Sequence, residues 1–417
     1  MKVLHINRSD IAGGAALAAY RLHQQLLQQG IDSKLLVGQS LTKDEQVSEI
    51  ASSGRIAHYV NKFTYPLGLN YLNITSSFHL QKNPVFAEAD VVNLHNILGN
   101  YFNYLAIANI SNLKPTVITL HDMWYATGHC AYSYDCNRWI QGCGKCPYPD
   151  TYPAIKRDNT HLEWKIKNWI YDRSKLTIVA PSRWLEEVAK KSILNKFEVH
   201  CIPYGIETDV FKPIDPELCR QALGIDVKRK IIFFAAANLE DKRKGFHLLL
   251  EALKLLPQVL KQEILLLTLG SSDYYQYQDL GVPTIHLGYV SNDRIKSIAY
   301  SAADLFVFPT QADNLPLVLQ ESLACGTPMV SFRVGGVPDL VRPGITGYLA
   351  EPDNVADLKD GIVQLLENSD VRAAMSEKCR ELAITEYSPA LQAQRYQQLY
   401  KSLLANKDKS ARGSECL

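Results

Sequence analysis

Short apolar, β-branched runs alternate with longer helix-patterned segments along this chain, and that alternation limits its fold more than any other feature. In the first half, residues 2–6 read as a strand and 15–29 as a helix closed by Gly30. Residues 34–37, 89–94, 116–120 and 175–180 read as further strands, and a helix opens after Pro181 and Ser182. A second series begins at Lys230, with a strand at 231–237, a polar basic loop at 238–244 and a helix from Phe246. Strands at 263–269, 304–308 and 328–332 continue it, and a last helix follows Pro389. Between the series, H-C-I-P-Y-G-I-E-T-D-V-F-K-P carries Pro203 and Pro213 and reads as a hinge. A length of 417 residues exceeds one ordinary core. The expected fold class is α/β, with two Rossmann-like doubly wound domains facing a central cleft. Their expected bounds are 1–200 and 201–385. A C-terminal helix at 386–405 would pack back towards the first domain, and 406–417 would be a disordered tail.

Composition removes several function classes. The chain is 47% hydrophobic and 21% charged with a net charge of +1, which does not suit a bulk nucleic-acid binder. No apolar run approaches the ~20 residues that span a bilayer. The start, M-K-V-L-H-I-N, enters a strand without a signal-peptide core. Nine cysteines would be odd for a disulfide scaffold of this size and cytosolic thiols stay reduced, and with no signal-peptide core the cytoplasm is the expected compartment.

Ligands of doubly wound sheets sit outside the carboxyl ends of the strands, so the chemistry is sought in the segments just after them. After the strand at 304–308 come two acids, Asp313 and Glu321, eight residues apart around a helix start. Asn314 can cap that helix and Pro316 suits its first turn. Glu321 lies in L-V-L-Q-E-S-L-A-C-G, apolar on most faces, and a buried carboxylate needs a partner. A carboxylate there can accept hydrogen bonds from vicinal hydroxyls. The plainer reading is a dipole-favouring surface acid and a solvated helix acid.

The full run P-T-Q-A-D-N-L-P-L-V-L-Q-E-S-L-A-C-G-T-P-M-V-S-F-R-V-G-G-V-P-D-L-V resembles the signature of family 4 glycosyltransferases. These are retaining enzymes of the GT-B fold with nucleotide-sugar donors, and their motif is Glu, seven residues, Glu. Here the first acid is Asp313, a variant that resembles the branch building exopolysaccharide and cell-surface glycans. The resemblance implies that Glu321 holds the ribose hydroxyls. Asp313 and the backbone of Asn314, Leu315, Pro316 and Leu317 would hold the donor sugar. It places the nucleotide base near 287–290, Tyr289 among them. It also gives the loop from Asn238 to Phe246 to the donor diphosphate, with Arg243 and Lys244 as its cations. Asn238 stands where the family often has Arg. Without the resemblance, a solvated basic turn explains that loop equally well.

Gly13 and Gly14 follow the first strand and open a helix, where a backbone can approach a phosphate or sugar. A tight turn is the plainer reading, and no G-x-G-x-x-G run supports a dehydrogenase. The resemblance turns this loop towards the donor phosphates and acceptor. It also gives His121 a contact with the transferred sugar. His95 is a weaker candidate near the acceptor, and Tyr204 replaces the family's usual Asn before Gly205.

Cys130, Cys136, Cys143 and Cys146 form C-x5-C-x6-C-x2-C. The open readings are a structural zinc, a compact thiol-lined loop and a disulfide formed on handling. Residues 152–175 interleave basic and aromatic side chains. A surface helix with one buried aromatic stripe explains them, and a peripheral contact at the inner membrane face is the sharper alternative. The expectation is a retaining hexosyltransferase. It would use a nucleotide-sugar donor and a glycan or lipid-linked acceptor, with no required cofactor and no metal at the donor site. A same-fold epimerase or phosphorylase and a non-catalytic glycan- or metal-binding scaffold are the alternatives.

Overall fold

The computed structural model describes residues 1–50, 66, 74, 76–99, 101–272 and 280–414. The chain forms two compact units, one of 1–205 with 390–417 and the other of 206–389.

The first unit holds a seven-stranded parallel sheet. Its strands are β1 (Lys2–Ser9), β2 (Asp32–Gln39), β3 (Val47–Glu49), β4 (Val91–Leu94), β5 (Thr116–Thr119), β6 (Leu176–Ala180) and β7 (Glu198–Cys201). They lie in the order β3-β2-β1-β4-β5-β6-β7. The order reverses between β1 and β4, so the loops leaving these two strands flank a topological switch point. Neighbouring strand residues point to opposite faces, which is why the core divides. Val3, Val91, Val117 and Val179 pack with Leu22 and Leu26, whereas Leu4, Val92, Ile118 and Ile178 join the opposite cluster.

The C-terminal helix, Pro389–Ser414, adds Ala393, Tyr396, Leu399 and Tyr400 to the first face. Its two tyrosines meet polar groups of the sheet. The Asn93 amide donates to the Tyr400 hydroxyl at 2.8 Å, and the Thr119 and Tyr396 hydroxyls lie 3.0 Å apart. The helix runs on to Ser414, through much of the stretch after residue 405 where the sequence suggests a disordered tail.

The second unit holds β8 (Lys230–Asn238), β9 (Ile264–Ser271), β10 (Thr284–His286), β11 (Leu305–Val307), β12 (Met329–Phe332) and β13 (Gly347–Ala350). All are parallel, in the order β10-β9-β8-β11-β12-β13. Its switch point lies between β8 and β11. Strands β3, β7, β10 and β13 are three or four residues long and escape the sequence pattern.

Asp10 organises the turn after β1. Its fully buried carboxylate accepts from the Leu41 amide, the Thr42 amide and the Thr42 hydroxyl at 2.7–2.9 Å, tying the loops after β1 and β2 together. Burial opposes its charge, but the Thr42 and Leu41 donors outweigh that and hold it down at about 2. Burial acts the other way on imidazoles and lowers His5 and His121 to about 3 and His23 to about 4.

These shifts set an acid limit. The unfolded chain protonates each histidine near 6.5 while the folded chain does not, so stability is intact above that pH and drains below it. Each of the three should cost about 1.4 kcal/mol per pH unit between roughly pH 6 and 4, with Asp10 adding to the loss below its unfolded value. Urea titrations at about pH 7, 6 and 5 should show falling midpoints, and a flat series would contradict the buried neutral state.

Candidate functional site

At the switch point of the second sheet, two loops close on one another. The β8 loop contains the single turn Lys242–Lys244 and ends at Gly245. The β11 loop runs from Phe308 to Pro316. The Thr310 hydroxyl donates to the Arg243 carbonyl at 2.9 Å, and the Gln311 amide donates to the same carbonyl at 2.8 Å. Gly245 has φ +77°, and a Cβ there would lie 1.8 Å from the Pro309 carbonyl oxygen. Gly335, after β12, has φ +51° and would press a Cβ to 1.9 Å from the Asp313 carbonyl oxygen. Only glycine lets the backbone approach this closely on either side of the acid.

Asp313 is buried between two cations. Lys244 Nζ lies 2.5 Å and Arg243 Nη1 3.2 Å from the same Asp313 Oδ2, and Arg243 also donates to the Ala312 carbonyl at 2.8 Å. The other carboxylate oxygen accepts from the Asn314 amide at 3.1 Å. Burial pushes the Asp313 carboxyl up, but Lys244 and Arg243 outweigh it and hold the acid below its ordinary value. Burial lowers the Lys244 ammonium, against the pull of Asp313.

Glu321 lies in the Leu317–Ala324 helix with 4% exposure. Its Oε2 accepts from the Tyr300 hydroxyl at 3.0 Å. Burial first, then the neighbouring carboxylate, keeps that phenol protonated. Sequence reasoning misses Tyr300, because a tyrosine within an ordinary helix pattern carries no signal of the acid it meets. The helix starts later than expected. Pro316 rather than Asn314 takes the N-cap position, with no side-chain cap, and its carbonyl accepts from the Leu319 and Gln320 amides. Asn314 and Leu315 are buried in the preceding loop.

The remaining candidates are divided between the two units. Asn238 is exposed, and its side chain accepts from the Glu240 amide at 2.8 Å. Tyr289 is 68% exposed. In the first unit, Gly13 holds the N-cap position of the Gly14–Gln28 helix, and both glycines are exposed. His121 is buried beside His95, with both ring nitrogens in hydrogen bonds, to His95 at 3.0 Å and to the Tyr204 hydroxyl at 2.7 Å.

The four cysteines lie in the segment between β5 and the helix Thr160–Tyr171. Among the described residues no three His, Cys, Asp or Glu side chains gather as a metal site. The Gly128 amide donates to Cys143 Sγ at 3.2 Å, and Cys146 Sγ lies 3.1 Å from His129 Nε2. Burial pushes the Cys130 and Cys143 thiols up to about 12 and about 11, so both stand protonated at neutral pH.

The helix Thr160–Tyr171 also departs from expectation, because its buried face carries charge. Lys167 is 1% exposed, donates to the Trp124 and Thr127 carbonyls and sits 3.5 Å over the Trp124 ring. Trp169 is exposed, with Arg173 stacked on it at 4.2 Å. Among the described residues no helix is long and apolar enough to cross a membrane.

Similar sequences and structures are known. The family model described as glycosyl transferases group 1 matches residues 216–382, and Glycosyltransferase Family 4 matches 12–210. A putative colanic acid biosynthesis glycosyl transferase, WcaC of Escherichia coli, is 26% identical over 366 residues, covering 82% of this chain and 85% of that one. The lipopolysaccharide 1,2-N-acetylglucosaminetransferase of Salmonella typhimurium is 28% identical and covers 54% of this chain. The match spans 62% of that relative's length, less than two thirds. Among solved structures, sucrose-phosphate synthase from Thermosynechococcus elongatus has a TM-score of 0.70 at 17% identity, covering 97% of this chain and 100% of that one. HepE from Anabaena, in complex with UDP and glucose, has a TM-score of 0.67 at 17% identity, covering 96% of this chain and 100% of that one. These structural likenesses show the fold, which is GT-B.

The ion cluster yields a measurable coupling. Asp313→Asn, Lys244→Met and the double variant form a cycle whose coupling energy should be on the order of 1–2 kcal/mol, because the pair is only partly screened by water. Urea denaturation of the four proteins reads it, and additive losses would show that the pair contributes nothing.

Proposed function

From the premise that the chain belongs to the family 4 glycosyltransferases, with the GT-B fold, we propose that it moves a hexose from a nucleoside-diphosphate sugar to a hydroxyl of a cell-surface glycan or its lipid-linked precursor. The observation that carries the donor reading is the meeting of Lys244, Arg243 and Asp313 at the switch point of the second sheet. Departure of a nucleoside diphosphate builds negative charge, and fixed cations stabilise it without a metal. Lys244 and Arg243 take that role. Asp313 and the backbone from Asn314 to Leu317 hold the sugar, and Glu321 accepts from the ribose hydroxyls. Tyr289 lies in the segment read as meeting the base. Gly13, Gly14 and His121 keep the roles the resemblance implies, towards the transferred sugar and acceptor.

In this reaction the bond between the anomeric carbon and the phosphate oxygen breaks. The acceptor oxygen bonds to that carbon on the same face, and its proton passes to the leaving phosphate. The configuration is retained and no protein base is required. Solved HepE structures hold UDP and UDP-glucose, which favours a uridine donor as the first to try.

Glu321→Gln keeps the side-chain volume and an acceptor for Tyr300 while removing the charge. Turnover of a panel of nucleoside-diphosphate hexoses should fall about a hundredfold in kcat/KM, with the melting temperature little changed. Unaltered turnover in this variant would remove Glu321 from the donor site.

A further inference from the structure

The first sheet carries a polar device that glycosyl transfer, as set out above, does not explain. His5 lies on β1, while His95 and His121 follow β4 and β5, the next two strands of the sheet. His5 Nδ1 and His95 Nε2 are 2.9 Å apart, and His95 Nδ1 and His121 Nε2 are 3.0 Å apart. His121 Nδ1 then lies 2.7 Å from the Tyr204 hydroxyl. The rings follow one another in sequence, with centroids 5.1, 5.3 and 5.5 Å apart. All four side chains are at most 8% exposed.

A neutral imidazole has one N–H and one lone pair, so such a chain must run in one direction throughout. Run towards β1, it would leave an N–H on His5 Nε2, an atom that is buried and has no hydrogen-bond partner among the described residues. Run towards Tyr204, it leaves a lone pair there instead. Orphaned buried N–H groups are the rarer defect, and the second direction is favoured. Each bond also polarises the next.

The geometry points to His5 and His95 as positioning residues that hold His121 in its Nδ1–H form, with that proton directed at the Tyr204 oxygen. All three histidines then share the Nδ1–H form. His121 is left unable to change tautomer without reversing the whole chain. This rests on the reading of His121 as a group near the transferred sugar only for its catalytic consequence, because the tautomer itself is a property of the fold.

The test uses the full-length protein with ¹⁵N-labelled histidine. Long-range ¹H–¹⁵N spectra should show a protonated Nδ1 and an unprotonated Nε2 for His5, His95 and His121 at about pH 7.5, well above where burial lets these rings charge. An Nε2–H form at any of the three would overturn the proposal without reference to activity. His95→Phe fills the same space with no nitrogen, and it should release His121 into a mixture of tautomers. It should also lower kcat roughly tenfold or more, through lost orientation, while leaving the donor KM nearly unchanged. A folded His95→Phe protein whose His121 kept a single Nδ1–H form would also overturn it. If the tautomer changed but turnover did not, the positioning of a catalytic group would fall along with the sugar-side reading of His121.

Discussion

The second unit depends on one ionic contact, the buried Asp313 carboxylate held by Lys244 and Arg243. The acid comes from the β11 loop and both cations from the β8 loop, so the contact closes the switch point of the sheet. The backbone accommodates it through glycines that bring carbonyls into the space of a missing Cβ. Neither partner is fully exposed, which keeps the attraction from being screened to the small value of a surface pair. Loss of the acid would leave two cations crowded together, while loss of the cations would leave a buried carboxylate. The site is therefore built from groups that are costly apart and stable together.

The first unit solves its polar problem by the opposite means. Its histidines are buried without carboxylates in the chain that joins them, and burial holds them neutral. Charge would be expensive there, so direction replaces it, and a row of dipoles passes from β1 to Tyr204. Asp10 keeps a full charge despite burial because several donors converge on it. It fixes the loop preceding Gly13, just as Asp313 fixes the loop preceding the Leu317–Ala324 helix.

The long strands are legible in the sequence because burial on both faces writes them as unbroken apolar runs. The four strands that escape the pattern are no shorter than β4, β5, β11 and β12, which are legible because they are buried throughout. The four that escape lie at sheet edges, and every residue of β3, β7 and β10 is at least partly exposed. Asp313, Glu321 and Lys244 are readable because each is a charged residue placed just after a strand or within an apolar helix. Tyr300 and His5 are not, because their importance lies in a partner many residues away. The cysteine spacing leaves a structural zinc and a thiol-lined loop both open. Backbone turns at Tyr134, Cys143 and Lys145, all with positive φ, shape that loop, and spacing alone does not encode them.

The two acids of the motif differ in what compensates them. Asp313 is matched by two cations within 3.2 Å, so its charge is largely balanced where it stands. Glu321 accepts from the neutral phenol of Tyr300, a bond that orients one oxygen without adding opposite charge. A shorter side chain suits the first position, because Lys244 and Arg243 reach across from the neighbouring loop and the acid need not extend to meet them. At 313 the two cations supply the reach across the loops, so the short acid meets both without extending.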